Sequence, residues 1–294
     1  MSMDEEEEDR DFINVEFDFS APCKTDHQAL KRLFQQLFYT HAPQMDIGAM
    51  ADYIIRLSQD NGIGTVVKVD DMEQVHDPYA VVSAMTIGVP GAEAAEQMRA
   101  YLVKQLLRGA SGKALLELVQ SASASSPLVM LLHERMINLP VQVVPPMLRM
   151  LYEEYEQGRE EVTPVAPKPS HMLVFSRAFS ADAFEEENAE ATGLAGARKR
   201  KAEEATLGNK SMRKQLKQVS GRAPKRQADG LGSFHPEDEV MMECASHTYT
   251  FRFPPPPDAA DTYEAPIFGR IFAIPYAQVP AVIKRVEEEW PVPS

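Results

Sequence analysis

An uninterrupted apolar run at residues 128–132 (Leu-Val-Met-Leu-Leu) most constrains the fold of this chain. A strand without polar alternation has both faces buried, so we expect helices on each side of it. Period-2 and period-3.6 patterns predict the remaining elements. Strands are predicted near 13–19, 63–69, 79–87, 128–132, 172–179, 234–242, 246–253 and 270–274. Helices are predicted after a Thr25/Gln28 capping box and at about 44–60, 91–107 and 112–122. A further helix, whose start is marked by Pro140, Pro145 and Pro146, is predicted to run to about Gly158, and the last begins at about Pro280.

These elements predict one α/β domain over residues 12–290, with a mixed central β-sheet and helices on both faces. Residues 1–11 contain seven acids against Arg10, and we predict a disordered acidic tail there. Residues 180–230 lack periodic apolar residues and are acidic at first, then basic. We predict a disordered insertion loop, because compact domains seldom keep such a long loop without a function.

The charge is unevenly distributed along the sequence. The chain has a net charge of −14, whereas residues 197–226 hold eleven Lys or Arg against two acids and carry +9. The rest of the chain therefore carries −23. This division predicts an acidic folded body and a separate cationic loop, which suit different partners.

The cysteines and the hydropathy of the chain indicate the cellular compartment in which we expect the protein. Cys23 and Cys244 are far apart and have no metal-ligand spacing. Residues 1–11 have no apolar core of the kind found in secretory signals. No stretch approaches the roughly 18 apolar residues of a membrane span. We expect a soluble intracellular protein with reduced thiols and no membrane association.

The sequence contains no catalytic constellation, and we predict no catalytic residues, cofactor or metal. His133-Glu134 resembles the start of an H-E-x-x-H zinc helix, but Ile137 stands where the second histidine is needed. The seven histidines show no metal-ligand spacing, and no G-x-S-x-G elbow occurs.

Residues 59–64 (Gln-Asp-Asn-Gly-Ile-Gly) match Q-x-x-G-x-G, the pyrophosphate-binding signature of the GCN5-related acetyltransferases. That site requires a strand before the loop and a helix after it, so that helix N-terminal amides bind phosphate. Here a predicted helix precedes the glycines, so we predict that Gly62 is a left-handed C-cap. An acetyltransferase at this loop remains an alternative.

The basic tract matches a bipartite nuclear-import signal, in which two cationic clusters bind the acidic grooves of an import receptor. Its residues are Arg198, Lys199, Arg200, Lys201, Arg213, Lys214, Lys217, Lys225 and Arg226. Two alternatives are phosphate contacts with RNA and a solvated charged loop without a partner. Residues 185–233 carry no aromatic ring for base stacking, and we do not expect direct nucleic-acid binding.

The block after the apolar run resembles the BCCIP/Bcp family of nuclear proteins. The similarity rests on Glu134, Arg135, Asn138 and Pro140, followed by a helix with a further proline. Residues 14–17, 30–38, 63–68, 171–179, 234–253 and 272–275 agree in the same order, so the resemblance covers nearly the whole predicted domain. We predict structural roles for this block: Asn138 caps the turn into the helix at Pro140, and Arg135 pairs with an acid.

The resemblance implies a fold like that of the GCN5-related acetyltransferases, without a recognised cofactor site or activity. It also implies nuclear work as an escort that shuttles to the cytoplasm. Fungal members of the family are associated with chaperoning a basic ribosomal protein of the large (60S) subunit and with nuclear export of a lipid kinase. Animal members are linked to recombination and cell-cycle regulators. We therefore expect a non-enzymatic chaperone of a basic client, with the acetyltransferase and an RNA-binding adaptor as alternatives.

Overall fold

The computed structural model describes residues 16–69, 77–162, 167–180, 229–256 and 266–292. The strands are β1 Phe17–Ser20, β2 Thr65–Val69, β3 Ala80–Ile87, β4 Leu128–Arg135, β5 His171–Ser180, β6 Leu231–Ser233, β7 His247–Arg252 and β8 Ile267–Pro275. The helices are α1 His27–Phe38, α2 Ile47–Asn61, α3 Glu93–Leu106, α4 Lys113–Ser121, α5 Val144–Val162, α6 Pro236–Glu243 and α7 Val279–Glu289.

The strands form one mixed sheet in the order β1-β2-β3-β4-β5-β8-β7, and β6 pairs with β5 outside this order. Among the described strands only β4 and β5 are parallel, and the other neighbours are antiparallel. The helix α5 lies between β4 and β5 in the chain, as a parallel crossover requires. This is a single α/β domain with a mixed central sheet, as predicted.

Helices cover both faces of the sheet. On one face Met130 and Phe175 pack in the same core as α1, α2, α3 and α4. On the other face Val129 and Leu131 pack with α5, α6 and α7. All eight residues of β4 are buried. The interpretation of residues 128–132 as a strand covered on both faces is confirmed.

Two local predictions are wrong. Residues 234–242 do not form a strand, because Pro236 occupies the first turn of α6 and Glu237, Asp238 and Glu239 follow it. Proline and acids are favoured in the first helical turn, where the fixed φ and the helix dipole suit them. The predicted Thr25/Gln28 capping box is also absent, since Cys23 N donates to Asp26 Oδ2 at 3.0 Å instead.

Several sequence predictions fall outside the described residues. The predicted tail at 1–11 and nearly all of the insertion at 180–230 belong to this group, and they stay predictions. Ser180 is the last residue of β5, and Asp229 and Gly230 lead into β6. The described residues contain 24 Asp or Glu against 18 Lys or Arg, a net −6. The acidic folded body predicted from the sequence is therefore much less acidic than −23.

Candidate functional site

The strands β4 and β5 separate beyond their first paired residues, and we call the gap between their C-terminal halves the wedge. The two strands pair only from Val129–Met172 to Leu131–Val174, although both continue further. The strand β6 enters this wedge and pairs with the last three residues of β5. It leads into α6, and all residues from 231 to 241 are buried. The fold thus places the acids of α6 against the C-terminal ends of β4 and β5.

Glu134 lies at the centre of the wedge and is fully buried. Its Oε1 accepts hydrogen bonds from Gln36 Nε2 at 2.9 Å and His235 Nε2 at 2.7 Å. Arg177 Nη2 lies 3.2 Å from both carboxylate oxygens. Burial alone would raise the pKa of Glu134, but Arg177, His235 and Gln36 lower it to about 2. Glu134 is therefore a carboxylate whose charge is balanced within the protein.

Arg135 binds the first turn of α6. Its Nε donates to Glu237 Oε1 at 2.8 Å and its Nη2 donates to Glu237 Oε2 at 3.0 Å. Its Nη1 donates to the carbonyl of Leu139 at 2.9 Å, in the turn after β4. The prediction that Arg135 pairs with an acid is confirmed. Such a bidentate pair fixes the relative position of strand and helix, because both hydrogen bonds depend on one geometry.

The pKa values of His133 and Asp238, which lie beside Glu237, are both raised. His133 Nε2 lies 3.4 Å from Glu237 Oε1, and His133 Nδ1 lies 3.9 Å from Asp238 Oδ1. Burial raises the pKa of Asp238 to about 7. Burial opposes protonation of His133, but Glu237 and Asp238 raise its pKa overall. In contrast, burial lowers the pKa of His235, although the neighbouring Glu134 opposes this shift.

These contacts join strands and helix in the manner of a cross-link. We call the residues that make them the buried ionic cluster: His133, Glu134, Arg135, Arg177, His235, Glu237 and Asp238. The charged groups of these side chains face one another and are buried away from water. Within the described ranges, no three His, Cys, Asp or Glu side chains are placed to hold a metal ion. A buried network of paired charges fixes geometry and specifies one arrangement of the elements around it.

A cleft of 260 Å³ opens over this cluster at the protein surface, and we call it the β4-end cleft. Its lining residues are Gln36, Met136, Ile137, Asn138, Arg177, Phe234 and His235. Met136 is 41 % exposed, which is unusual for a large apolar side chain in this protein. The Arg177 guanidinium lies 4.7 Å from the centre of the Phe234 ring. The cleft therefore combines an apolar rim with a floor whose charges are already paired.

The remaining signature residues are placed differently from the prediction. Asn138 is exposed and lines the β4-end cleft. The 3₁₀ turn Val141–Val143 begins after Pro140 and receives no side-chain cap. The predicted capping role of Asn138 is therefore wrong, because the proline itself starts the turn. The structure leaves the Asn138 amide free to face solvent.

The loop at residues 59–64 does not have the geometry of a pyrophosphate site. It contains the C-terminal end of α2, where the helix carbonyl dipoles repel anions. Gly62 has φ 66° and caps the helix in the left-handed region, as predicted. The Gly64 amide already donates to Glu154 Oε2 at 2.9 Å. Burial raises the pKa of Glu154, which fits a carboxyl group enclosed by this loop.

The residues of the predicted nuclear-import signal, from Arg198 to Arg226, lie outside the described residues. Sequence reasoning found Glu134 and Arg135 but missed Arg177, His235, Glu237 and Asp238. Together with Glu134 and Arg135 they come from three distant segments, and only the sheet brings them together. A signal for α6 was present, because the sequence Pro-Glu-Asp-Glu at 236–239 is typical of a helix N-terminus.

None of the described helices combines the length and apolar character needed to cross a bilayer.

Comparison with known proteins identifies relatives over nearly the whole chain. A family model described as BCCIP matches residues 12–241. Protein BCP1 of Mycosarcoma maydis is 43% identical over 98% of this chain and 92% of its own length. Protein bcp1 of Schizosaccharomyces pombe is 31% identical over 81% of this chain and 74% of its own length.

A solved structure shares the fold. The crystal structure of BCP1 from Saccharomyces cerevisiae covers 97% of this chain and 93% of its own, with a TM-score of 0.55 and 18% identity. At this identity the match describes the fold alone. The family model and the sequence relatives carry the assignment, and the chain belongs to the BCCIP family.

Proposed function

We propose that this protein is a non-enzymatic chaperone or escort of a basic client. Membership of the BCCIP family supports a non-catalytic, chaperone-type role. The observation that carries the proposal is the charge of −23 outside residues 197–226. A free client with a cationic surface binds nucleic acid non-specifically, and a negatively charged escort competes with that binding.

The client of our proposal is a ribosomal protein of the large subunit, held before it is assembled. Such proteins expose rRNA-binding cationic surface until they reach their site. The protein would then act in the nucleus and shuttle to the cytoplasm, with a lipid kinase as a further export cargo. An import receptor would bind the cationic clusters of residues 198–226. These finer assignments rest on the family resemblance and on composition.

The buried ionic cluster supports a binding role better than a catalytic one. Catalysis needs a reactive group that touches its substrate, whereas the charges of Glu134, Arg135 and Glu237 are taken up by partners inside the protein. The loop at residues 59–64 supports this view, since Glu154 occupies its Gly64 amide.

The test is capture of a client from proteins of the large ribosomal subunit, stripped of RNA. The purified full-length chain should retain one basic protein at equimolar ratio, and added salt should weaken the complex. A chain without residues 197–226 should retain the same protein, which excludes bridging by residual RNA. Retention of no basic protein, or of all basic proteins alike, would contradict the proposal.

A further inference from the structure

The helix α6 is held against the sheet largely by charged side chains. Its acids Glu237, Asp238 and Glu239 are buried, and among its large apolar side chains only Val240 and Met241 are buried. In α7, which packs in the same core, every buried residue is apolar. The position of α6 therefore depends more on the charge state of its acids than that of a helix with an apolar stripe.

The strand β6, which leads into α6, pairs with the sheet over a short distance. It pairs with β5 over three residues, whereas β8 pairs with β5 over nine. The pairing of β4 with β5 ends at Leu131 and Val174, before β6 begins to pair at Ala178. Residues 231–243, which comprise β6 and α6, can therefore leave the wedge while β4, β5 and β8 stay paired.

Asp238 is buried without the hydrogen bonds that its neighbour Glu237 receives. It is 2 % exposed, and within the described ranges neither of its carboxylate oxygens accepts a hydrogen bond. His133 Nδ1 lies 3.9 Å from Asp238 Oδ1, which is too far for a hydrogen bond. Burial of a carboxyl group without hydrogen bonds favours the neutral acid over the carboxylate. The position of Asp238 in the wedge therefore suits its protonated form.

Most charged side chains of the elements packed against α6 are paired with one another. The pairs are Glu134 with Arg177, Arg135 with Glu237, Arg270 of β8 with Asp229, and Arg285 of α7 with Glu243. On the side of β6, the Ser233 amide donates to Glu239 Oε1 at 3.4 Å. His133 remains as the basic side chain beside Asp238.

Rising pH weakens the attachment of Asp238 in the wedge. Burial raises the pKa of Asp238 to about 7, with Glu237 and Glu134 adding to this increase and His133 opposing it. His133 loses its positive charge once the pH exceeds its own raised pKa. An ionised Asp238 is then a buried carboxylate beside those of Glu237 and Glu134. Because an aspartate in water ionises without this cost, the ionised form favours a state in which residues 231–243 are exposed.

We propose that residues 231–243 form a pH-sensitive latch, which leaves the wedge more often as the pH rises towards neutrality while the long strands stay paired. Opening exposes Asp238 to water and is accompanied by the loss of its proton. Such local opening needs less free energy than global unfolding, because only the weakly packed part of the fold is exposed. Since Phe234 and His235 line the β4-end cleft, an open latch also removes one wall of that cleft. The protein therefore presents a different surface at this end of the sheet at low and at neutral pH.

Hydrogen–deuterium exchange of the full chain, followed by mass spectrometry at pH 5, 6, 7 and 8, measures opening segment by segment. After correction for the intrinsic pH dependence of exchange, the protection of residues 231–243 should fall about tenfold per pH unit from pH 5 to 7, as expected for the loss of one proton. It should level off above pH 7, where Asp238 is ionised in the closed latch as well. Residues 171–177 of β5 and 267–275 of β8 should keep their protection throughout.

Two variants test the role of Asp238. Asp238→Asn removes the titrating group, so its latch should show the same protection at every pH. The matched control is Glu243→Gln at the exposed end of the same helix, where Glu243 pairs with Arg285. It removes a carboxylate outside the wedge, and the tenfold change per pH unit should persist.

Three results would overturn the latch: protection of residues 231–243 that does not depend on pH, a parallel loss of protection in β5 and β8, or an unchanged pH dependence in Asp238→Asn. The first two are measured on the parent protein alone. The proposal therefore stays testable even if Asp238→Asn does not fold.

Discussion

Arg135 and Glu237, separated by about a hundred positions in the chain, form a bidentate ion pair that fastens β4 to α6. Arg135 is 1 % exposed and Glu237 is fully buried. The pair lies in the wedge between the only two parallel strands of the described sheet. It fixes the position of α6, and of β6 which leads into it, beneath the β4-end cleft.

Removal of one partner of this pair should be strongly destabilising. Arg135→Ala should lower the free energy of unfolding by about 3–5 kcal/mol, because Glu237 is left as a buried uncompensated charge. The double variant with Glu237→Ala should cost clearly less than the sum of the single variants. Urea unfolding of all four proteins measures this coupling. Strict additivity would show that the pair does not interact.

The raised pKa values of Asp238 and His133 should make the stability of the protein dependent on pH. The folded protein keeps Asp238 protonated up to about pH 7, whereas an unfolded aspartate loses its proton near 3.8. The free energy of unfolding should therefore decrease as the pH rises between these values. The raised pKa of His133 acts in the same direction, since its contribution is present below 6.5 and is lost above it.

Asp238→Asn isolates this effect. The stability of the variant relative to the parent should grow from pH 4 to about pH 7 and stay constant above that, because the variant has no buried charge to form. Asp60→Asn, at an exposed position, should follow the parent at every pH. Urea midpoints across this range give the measurement, and parallel curves for Asp238→Asn and the parent would contradict the assignment.

Gln36 should contribute more to stability than its neighbour in sequence. Its amide donates to Glu134 Oε1 at 2.9 Å and to the Arg135 carbonyl at 3.1 Å. Gln36→Ala should cost about 1–3 kcal/mol, because two buried acceptors lose a donor. Gln35 is exposed on the same helix, and Gln35→Ala should change stability little. Equal thermal shifts in the two variants would show that Gln36 does not support the cluster.

Replacing Gly62 or Gly64 by alanine should lower the stability of the protein by different amounts. Both have positive φ, so each alanine variant should lose about 1–2 kcal/mol from backbone strain. At Gly64 a Cβ would also lie 3.0 Å from Ser83 Oγ, while at Gly62 nothing lies within 4 Å. Gly64→Ala should therefore melt at a lower temperature than Gly62→Ala.

The same loop decides the acetyltransferase alternative. Calorimetry of the parent protein with acetyl-CoA should show no saturable heat, because the Gly64 amide is bound to Glu154. Micromolar binding that both glycine substitutions abolish would instead favour the enzyme.

Deletion of residues 197–226 should separate import from RNA binding. A fluorescent fusion of the deleted chain should lose nuclear accumulation, because the clusters from Arg198 to Arg226 are removed. RNA binding of the purified protein, measured at matched ionic strength, should not change. Loss of RNA binding with normal nuclear accumulation would favour an RNA-binding adaptor.

The predictions from the sequence succeeded where the signal is local. The apolar run at 128–132 predicted a strand buried on both faces, and Gly62 predicted a helix end in the left-handed region. They failed at residues 234–242 and at Asn138. At residues 234–242 the acids suggested a strand with an exposed face, but these acids are buried. Their burial is possible because Arg135, far away in sequence, pairs with Glu237.

The sequence by itself determined most of the elements, the single mixed α/β domain, the family signature and the separation of basic from acidic charge. These follow from periodicity and composition, which are properties of short stretches of chain. Only the tertiary structure decided that the signature residues Glu134 and Arg135 meet Arg177, His235 and Glu237. This result depends on strand pairing and direction, which bring residues about a hundred positions apart into contact and which no local pattern encodes.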